Sequence, residues 1–516
     1  MRREVSGNPR EGGVFGAALG ALAFAAAVGL LCVDVVRGIW DHDAGFFLQQ
    51  AAMVAAGLRP YVDFSPFYPP LMASVNALPI WLGIERYLLV TWLPIAWVVA
   101  IGALTVACGR RLAPGSSPLL TWFLAAGYPL LAVEFGGNHV TLEHAVVLCG
   151  LLALLAFGPP RRAGALAFAA AGFAGGLAVL SKQVGVLLLL PFAFQVRRGS
   201  HGASLLLGFA APLFGLVAWL GFDGGPLLSS GAQLASYVSH DGTGGWWSIL
   251  RHLKAQVLAL PVSLPAEFRR ATLGLVGLVG SITAGLWLLG RLREDGARRE
   301  SVWVGSWLAV FGLLLATRLV KDFPHYTLNC WVPLVALWLA FLARYGPSRT
   351  FRLWGMTLGL GVGVVILHAP WNPAYTRRFE QPGTLETWIL PLAAEVDRLV
   401  PAGAAVVDAQ PENVVLFLAR RLPANRDWSL GPFGIADVER WVPPGRPCYV
   451  LTTHIGDQGS LASMDIALRG SSRYRLEHEW KAPGRHIGLY RRTLGLPGNR
   501  AAAATPPRRG SPADTR

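Results

Sequence analysis

The sequence is short of charged residues. Of its 516 residues, 15% are Asp, Glu, Lys or Arg and 53% are apolar, whereas a soluble domain is about a quarter charged. This deficit excludes an ordinary soluble globular protein. Apolar runs of about 16 to 22 residues recur along most of the chain, so the lipid bilayer is the predicted surrounding for most of it.

Cysteine is also scarce. The chain has 5 cysteines, and four of them lie in or beside apolar runs while Cys448 stands alone in the C-terminal region. This pattern excludes a disulfide framework, and it has no metal-binding spacing.

Acidic residues are fewer than basic ones, 30 against 45, which leaves a net charge of +15. A basic surplus can indicate nucleic-acid binding. In a membrane protein, however, arginines accumulate in cytoplasmic loops and contact anionic lipid head groups. We therefore expect no nucleic-acid partner.

The apolar runs predict a polytopic helical membrane domain over residues 1–369. The first run, Val14 to Val33, is too long for a signal-peptide core and lacks a clear A-x-A cleavage site, so we expect a retained helix. About eleven spans are predicted, at residues 14–33, 88–108, 118–134, 141–157, 164–180, 183–195, 203–222, 271–290, 302–317, 326–343 and 351–369. The sixth is short, and we expect it to form a tight hairpin with the fifth.

The loop arginines and lysines predict the orientation. One alternating set of connections holds 16 basic residues in roughly 53 positions, and the other holds 10 in roughly 121. By the positive-inside rule the first set is cytoplasmic. We therefore expect a multi-pass protein of the plasma (inner) membrane with a cytoplasmic N-terminus and an external, or periplasmic, C-terminal region.

Two segments of the first external loop, residues 34–87, are apolar but short. They are Phe46 to Ala56 and Leu71 to Gly83. If the second one spanned, the arginine pattern would break, so we expect both to be helices at the outer membrane interface.

The chain changes character after residue 369. Residues 370–494 predict a small external α/β domain, with helices at 385–400 and 412–420 and strands at 404–408, 448–453, 474–480 and 487–490. The tail, residues 495–516, has low complexity and is expected to be disordered.

The predicted external loops hold the polar side chains that can carry chemistry. Loops on a rigid scaffold often carry function, and five separate loops on one face indicate a site. These residues are Asp41, Asp43, Asp63, Glu134, His139, Glu143, Lys182, Tyr237, His240, Asp241, Arg318, Lys321, Asp322, His325 and Tyr326.

The first external loop resembles that of a known enzyme family. Asp43 with an aromatic pair, then AAMVAAGLRPYVDF, then YPPL, is similar to the corresponding loop of GT-C glycosyltransferases, in the subgroup of protein O-mannosyltransferase-like and aminoarabinose-transferase-like proteins. Later, GGLAVLSKQVGVLLL resembles the hairpin of that family, DFPHYTLNCWVPLVAL its late loop and helix, and EWKAPGRHIGLYRR the end of its external domain.

The resemblance implies a GT-C-like fold and a function. The protein would move a sugar from a polyprenyl-phosphate-linked donor to an envelope glycan, lipid or protein acceptor outside the membrane. Asp43 matches the essential loop aspartate, Asp63 the aspartate of the Tyr-x-Asp-Phe stretch, and Lys182 the hairpin lysine. Two positions depart from the family pattern. Ala44 replaces a second acid, and Tyr68 replaces a lysine before Pro-Pro-Leu, which leaves room for an altered substrate or for a fold without the activity.

Inverting transfer needs a base for the proton of the acceptor, and Asp43 is the candidate. The alternative role of Asp43 is the N-cap of the helix from Phe46 to Ala56. Asp41, spaced as D-x-D, can support Asp43 or bind a divalent cation (Mg or Mn) with it, although a solvated acid is as good an interpretation.

The leaving phosphate needs cations or hydrogen-bond donors. The candidates are Lys182, Arg318, Lys321 and His325, and Lys182 is preferred because it lies at the apex of an apolar hairpin. Its alternative role is snorkelling to the interface.

Further polar residues are candidates for substrate contacts. Asp63 can instead anchor its turn, and Tyr326 can be an interfacial aromatic residue. Glu134, His139 and Glu143 can contact the acceptor or a metal, although their spacing does not support a zinc-type site. His240 lies in a glycine-broken loop that can be a mobile lid or a tryptophan-anchored loop. The substrate-contact candidates are Asp63, Tyr61, Glu134, His139, Tyr326 and His240.

Two other functions remain open. A transporter or flippase would favour charges within the spans and internal repeats, whereas the polar residues here crowd one side. A non-catalytic envelope-assembly protein would retain the fold without transfer.

Overall fold

The structure is a computed structural model. It describes residues 9–37, 42–64, 66, 68–135, 137, 139–220, 272–321, 324–345, 385–409, 414–424, 435–442, 446–455, 459–482 and 485–493. The chain divides into two compact units, Met1–Leu399 with Pro411–Leu430, and Val400–Gln410 with Gly431–Arg516. The predicted division into 1–369, 370–494 and 495–516 stays a prediction.

Apart from an isolated bridge between Pro60 and Phe64, the regular secondary structure in the described part of the first unit is helical. Short 3-10 segments, Gln183–Leu189 and Pro324–Cys330, precede α8 and α12, and a π-helical turn, Leu385–Ile389, precedes α13. The helices are α1 (Pro9–Arg37), α2 (His42–Ala55), α3 (Leu71–Trp81), α4 (Arg86–Leu112), α5 (Pro118–Glu134), α6 (Leu142–Phe157), α7 (Ala165–Ser181), α8 (Leu190–Ala193), α9 (Gly199–Trp219), α10 (Thr272–Glu294), α11 (Arg298–Lys321), α12 (Trp331–Tyr345), α13 (Leu390–Leu399) and α14 (Val414–Leu418).

The predicted helical membrane domain is confirmed. Every predicted span that falls in the described ranges lies on a helix, and the span predicted at 351–369 lies outside them. Within those ranges, five helices are long and apolar enough to cross a bilayer, and further apolar helices of 10–17 residues are shorter. The chain is therefore an integral membrane protein. The five are Val14–Val36, Arg86–Leu112, Gly199–Trp219, Arg298–Thr317 and His325–Tyr345.

Small residues allow α7 and α9 to approach closely. A Cβ added at Gly172 would lie 2.2 Å from the carbonyl oxygen of Leu205, and one added at Gly208 would lie 2.1 Å from that of Ala169. Helices in membranes associate through such small residues, since lipid provides no hydrophobic force between them. These contacts hold α7, the helix that Lys182 follows, against α9.

The chain turns sharply after α7, as predicted for the hairpin. The Gly185 amide donates to the carbonyl of Lys182 at 2.9 Å, and the following 3-10 segment packs back against α7. Gly185 permits this because an added Cβ would lie 2.5 Å from the backbone of Ala178. The turn leaves Lys182 at the tip of the hairpin.

Part of the C-terminal sequence belongs to the helical unit. α14 packs against α2, and Arg86, the first residue of α4, donates from Nη1 to the carbonyl of Phe417 at 2.6 Å. Arg420 pairs with Glu85 at 3.0 Å. These contacts hold α14 at the amino end of α4, beside α2.

The second unit is a small α/β domain, as predicted. It contains β1 (Ala405–Asp408), α15 (Ile435–Trp441), β2 (Cys448–Ile455), α16 (Gly459–Gly470), β3 (Tyr474–Ala482) and β4 (Arg485–Arg492). The strand order is β1-β2-β4-β3. β1 pairs with β2 in parallel and the other pairs are antiparallel. All four predicted strands lie on these strands.

Candidate functional site

A buried ion pair joins the start of α6 to the end of α7. Glu143 lies in the first turn of α6, where the helix dipole favours a carboxylate, and Lys182 directly follows α7. The Lys182 ammonium donates to Glu143 Oε1, and the two side chains are 6% and 2% exposed. Charges are rarely buried unless they are paired, so the hairpin tip and the α6 start are held together here.

Two tyrosine rings surround the same ammonium. The Lys182 Nζ atom lies 3.4 Å from the ring centroid of Tyr326 and 5.7 Å from that of Tyr68. A cation over an aromatic face is attracted by the ring quadrupole, most strongly where water is excluded. Tyr326 therefore belongs to the cation site, and its side chain is buried.

Two histidines adjoin the pair. His325 Nε2 lies 4.0 Å from Glu143 Oε1. The His139 ring meets the His325 ring edge to face, with centroids 6.3 Å apart. Of the predicted residues, Lys182, His139, His325 and Tyr326 are thus brought together by three different elements of the helical unit.

Some buried polar atoms beside these residues have no partner within the described part of the chain. Asn329, 1% exposed, lies three residues after Tyr326 in the same 3-10 helix, so the two side chains project on the same side. Neither the amide oxygen nor the amide nitrogen of Asn329 forms a hydrogen bond with a described residue, and neither does the hydroxyl of Thr141. Buried polar groups are nearly always paired, which makes these atoms candidates for contacts with a polar ligand.

A second polar network holds the loop between α5 and α6. His144 Nδ1 and the Tyr128 hydroxyl are 2.8 Å apart, and His144 Nε2 is 3.0 Å from the carbonyl oxygen of Gly137. His144 is fully buried. This network positions the segment that contains His139, and sequence reasoning missed it because a histidine within an apolar helix gives no pattern of its own.

The first turns of α2 lie next to this cluster. The rings of Phe47 and Tyr68 are 6.0 Å apart, and Tyr68 in turn faces Lys182. Asp43 precedes Phe47 by one helical turn. The side chain of Asp43 and the whole of Asp41 lie outside the described residues, so their catalytic and metal-binding roles stay predictions.

The helix α2 begins earlier than predicted. It starts at His42 rather than at Phe46, so Asp43 lies within the first turn and not before the helix. Asp43 is therefore not the residue that precedes the helix, and the predicted N-cap alternative is wrong. An aspartate in a first turn is still favoured by the helix dipole.

The turn before α3 is anchored by Asp63. Its Oδ2 accepts the Arg59 backbone N–H at 2.7 Å, which is the turn-anchoring interpretation, and its substrate contact stays a prediction. Tyr61 has a φ of +65°, and its hydroxyl donates to the Tyr68 carbonyl at 3.5 Å. Burial raises the pKa of Tyr61, so the hydroxyl keeps its proton.

The remaining predicted site residues are Glu134, Arg318, Lys321 and His240. Glu134 is the last residue of α5 and is half-buried. Arg318 and Lys321 belong to the last turn of α11, but their side chains lie outside the described residues, as does the whole of His240. Their roles stay predictions.

Glu143 has a different role from the one that the sequence predicted. The sequence grouped it with Glu134 and His139 as a substrate or metal ligand, whereas it is the direct partner of Lys182. The two are 39 positions apart, and no spacing rule links residues so distant. Among the described side chains, no group of three or more His, Cys, Asp or Glu is placed to hold a metal ion.

Comparison with known proteins gives a weak likeness in fold. No family model and no curated protein match the sequence. The chain is similar to the crystal structure of the Archaeoglobus fulgidus oligosaccharyltransferase in the apo form, with 13% identity and a TM-score of 0.48, over 94% of this chain and 75% of that one. A likeness of this strength is too weak to argue from.

Proposed function

We propose that this protein is a membrane glycosyltransferase that takes a sugar from a polyprenyl-phosphate donor and transfers it, with inversion, to an acceptor on the external face. One observation carries the proposal. A buried lysine, enclosed by two tyrosine rings, lies beside the helix that bears Asp43. This combines a cation for a leaving phosphate with a candidate base on a neighbouring element.

Lys182 is the proposed phosphate ligand. Its ammonium already binds an oxygen anion, the Glu143 carboxylate, and a phosphate oxygen is a partner of the same kind. Glu143 would hold Lys182 in position and keep the site neutral while no donor is bound. His325, 4.0 Å from Glu143, and the amide of Asn329 are the nearby groups that can contact the phosphate or the sugar.

Tyr68 gives this site a feature that departs from the GT-C pattern. Where that family commonly has a lysine before Pro-Pro-Leu, this chain places a ring whose centroid is 5.7 Å from the Lys182 ammonium. The phosphate contact of the missing lysine would therefore come from Lys182. We expect the aromatic ring to orient that cation rather than to bind the donor.

In the proposed reaction, a hydroxyl oxygen of the acceptor attacks the anomeric carbon of the donor sugar. The bond from that carbon to the phosphate oxygen breaks, and the phosphate leaves with the electron pair and the polyprenyl chain. The Asp43 carboxylate takes the acceptor proton. A divalent cation held by Asp41 and Asp43 would add charge neutralisation at the phosphate, and the roles of the residues above do not depend on it.

Asp43→Asn tests the proposal directly. Purified protein in lipid is given polyprenyl-phosphate sugars and an envelope extract, and transfer is measured by mass spectrometry of glycans and lipids. Asp43→Asn should keep the wild-type thermal midpoint and lose transfer by at least about a hundredfold, since general-base catalysis typically contributes that much. Glu85→Gln, which removes an exposed acid at the amino end of α4, should transfer normally. Undiminished transfer by Asp43→Asn would contradict the assignment.

The orientation has its own test. Cysteines are introduced at the two ends of α4, Glu85→Cys and Arg110→Cys. The native cysteines are buried or half-buried, which keeps the background low. An impermeant maleimide should label Glu85→Cys in intact cells and Arg110→Cys only after permeabilisation. The reverse result would place the Lys182 cluster on the cytoplasmic face.

The buried ion pair also suits a transporter, because paired charges inside a helical bundle often mark a transport pathway. Lys182 and Glu143 both lie at helix ends, which favours chemistry at the membrane surface. Proteoliposomes separate the two functions. Movement of the sugar lipid between leaflets without cleavage of its sugar–phosphate bond would support the transporter.

A further inference from the structure

A groove opens where α10 turns into α11, at the end of α11 opposite the Lys182 cluster. Its volume is about 610 Å³. α11 has 24 residues, so its two ends are about 36 Å apart, and the groove is separate from the candidate active site. The lining residues are Phe194, Arg293, Gly296, Arg298, Ser301, Val302, Gly305, Ser306 and Ala309.

One wall of the groove is a single face of α11. The lining positions from Arg298 to Ala309 are spaced by three or four residues, which places them in one stripe along the helix. The stripe is about 16 Å long at 1.5 Å per residue. It begins with a guanidinium and continues with Val302, Gly305 and Ala309, so its charged end leads into an apolar track.

The mouth of the groove carries positive charge that the described side chains do not neutralise. Glu294 binds Arg291 at 3.0 Å, and Asp295 binds Arg344. The acids of the turn are therefore engaged elsewhere. Arg293 and Arg298 have exposed side chains and form no ion pair within the described ranges.

A buried amide adjoins the groove. Gln195 follows the lining residue Phe194 and is 3% exposed. Its Oε1 accepts from Arg299 Nε at 3.4 Å, while its Nε2 has no hydrogen-bond partner among the described residues. Gln195 and Arg299 each follow a lining residue, Phe194 and Arg298, so this donor lies next to the charged end of the groove.

We propose that this groove binds an anionic phospholipid. The phosphate of the head group would lie between Arg293 and Arg298, and one acyl chain would follow Val302, Gly305 and Ala309. The exposed sides of Phe194 (62%) and Val302 (39%) open the track to the bilayer. A free phosphate would leave the apolar track unused, and a zwitterionic lipid would leave both guanidiniums without a net negative partner. The loop arginines also assign this end to the cytoplasmic side, where anionic lipids are enriched.

Native mass spectrometry of the full chain in neutral detergent tests the proposal. Phosphatidylglycerol and phosphatidylcholine with identical acyl chains are titrated separately, and inorganic phosphate is added as a competitor. We expect one phosphatidylglycerol to bind at a concentration at least about tenfold lower than phosphatidylcholine, because each arginine near the lipid surface contributes severalfold. Millimolar phosphate should not displace it.

Two variants and two matched controls locate the binding. Arg293→Gln/Arg298→Gln should abolish the preference for phosphatidylglycerol, whereas Arg110→Gln/Arg162→Gln, the same charge change at exposed residues outside the groove, should keep it. The leucine side chain of Gly305→Leu should fill the apolar track, so this variant should no longer bind the phosphatidylglycerol. At Gly305 the atom nearest to an added Cβ is 3.9 Å away, so the helix tolerates the change. Gly312→Leu is the control, because Gly312 lies on the same helix outside the groove and no described atom lies within 4 Å of a Cβ added there.

Several results would overturn the proposal. Equal affinity for the two lipids would show that the arginines do not select an anionic head group. Competition by inorganic phosphate, with no effect of Gly305→Leu, would show that the groove binds a soluble anion. Equal losses in the groove and control variants would show that the lipid binds elsewhere. A dimer that Gly305→Leu dissociates and the arginine changes leave intact would show that a second copy fills the groove.

Discussion

Lys182 and Arg293 are both basic residues at helix ends, and their surroundings are opposite. The Lys182 side chain is 6% exposed, binds Glu143 and lies under the ring of Tyr326. Arg293 is exposed, has no ion-pair partner within the described part of the chain, and lies at the mouth of an open groove. The two ends of the same helical unit therefore hold positive charge in different ways.

The difference indicates what each charge can do. Burying a lysine costs several kcal/mol of desolvation, which only a well-placed anion and further contacts offset, and the result is a cation fixed in one position. Fixed charge suits transition-state stabilisation, because it needs no reorganisation during the reaction. Exposed arginines stay hydrated and adjustable, which suits a lipid head group at the membrane surface.

The sharpest way to break this comparison is to remove one member of the buried pair. Lys182→Met should lower the free energy of unfolding by about 3–5 kcal/mol, because it leaves Glu143 buried without a partner. The double variant Glu143→Gln/Lys182→Met leaves no charge at the two positions of the pair, and it should recover most of the lost stability. Thermal and denaturant unfolding in detergent measure both variants.

Transfer activity separates structure from function in the same pair. If Lys182 holds the leaving phosphate, the stable double variant should remain inactive. Wild-type transfer by Glu143→Gln/Lys182→Met would show that the pair only stabilises the fold.

The ring above the ammonium should have the next largest effect. Tyr326→Leu removes the cation–π contact at 3.4 Å and should cost about 2 kcal/mol of stability, as expected for a desolvated cation. Tyr326→Phe keeps the ring and should cost much less. Equal losses in the two variants would mean that the hydroxyl, and not the ring, is the stabilising group.

The His144 network should contribute less. Tyr128→Phe removes the hydroxyl 2.8 Å from His144 Nδ1 and leaves a buried nitrogen unpaired, which costs about 1–3 kcal/mol. We also expect slower transfer, since this network positions the His139 segment. Unfolding midpoints and initial transfer rates check the two effects, and an unchanged midpoint would show that another group satisfies His144.

The smallest effect is expected at the other end of the unit. Arg344 and Asp295 also form an ion pair, but their side chains are 42% and 47% exposed. Exposed pairs contribute about 0–1 kcal/mol to stability. The free energy of unfolding of Arg344→Gln should therefore lie within about 1 kcal/mol of the wild-type value, and this variant should transfer sugar at the normal rate. A loss of stability as large as that of Lys182→Met would contradict the contrast between the buried and the exposed ion pair.

Much of the architecture could be predicted from the sequence. Long apolar runs predicted the helices of the bundle, because a membrane span must satisfy its own backbone hydrogen bonds. Short apolar, valine-containing runs predicted the strands around Val406 and Val450. The early start of α2 at His42 was missed, since the segment before Phe46 has no apolar periodicity to mark a helix.

The site was harder to predict because its contacts join distant parts of the chain. Lys182 was identified by an unusual position, a charge at the tip of an apolar hairpin. Its partner Glu143 and the facing ring of Tyr68 depend on how α2, α6 and α7 pack, which local sequence does not encode. The groove at Arg293 depends likewise on which acids pair with which arginines, and Asp295 binds Arg344, 49 positions away.

Donor binding to the buried cation is the most direct test of the central claim. The dissociation constant of polyprenyl phosphate is measured by calorimetry for wild type and for Glu143→Gln/Lys182→Met, at matched stability. Loss of a charge-assisted hydrogen bond to the phosphate should weaken binding roughly ten- to a hundredfold. An unchanged dissociation constant would show that Lys182 does not hold the phosphate, and the proposed active site would be wrong.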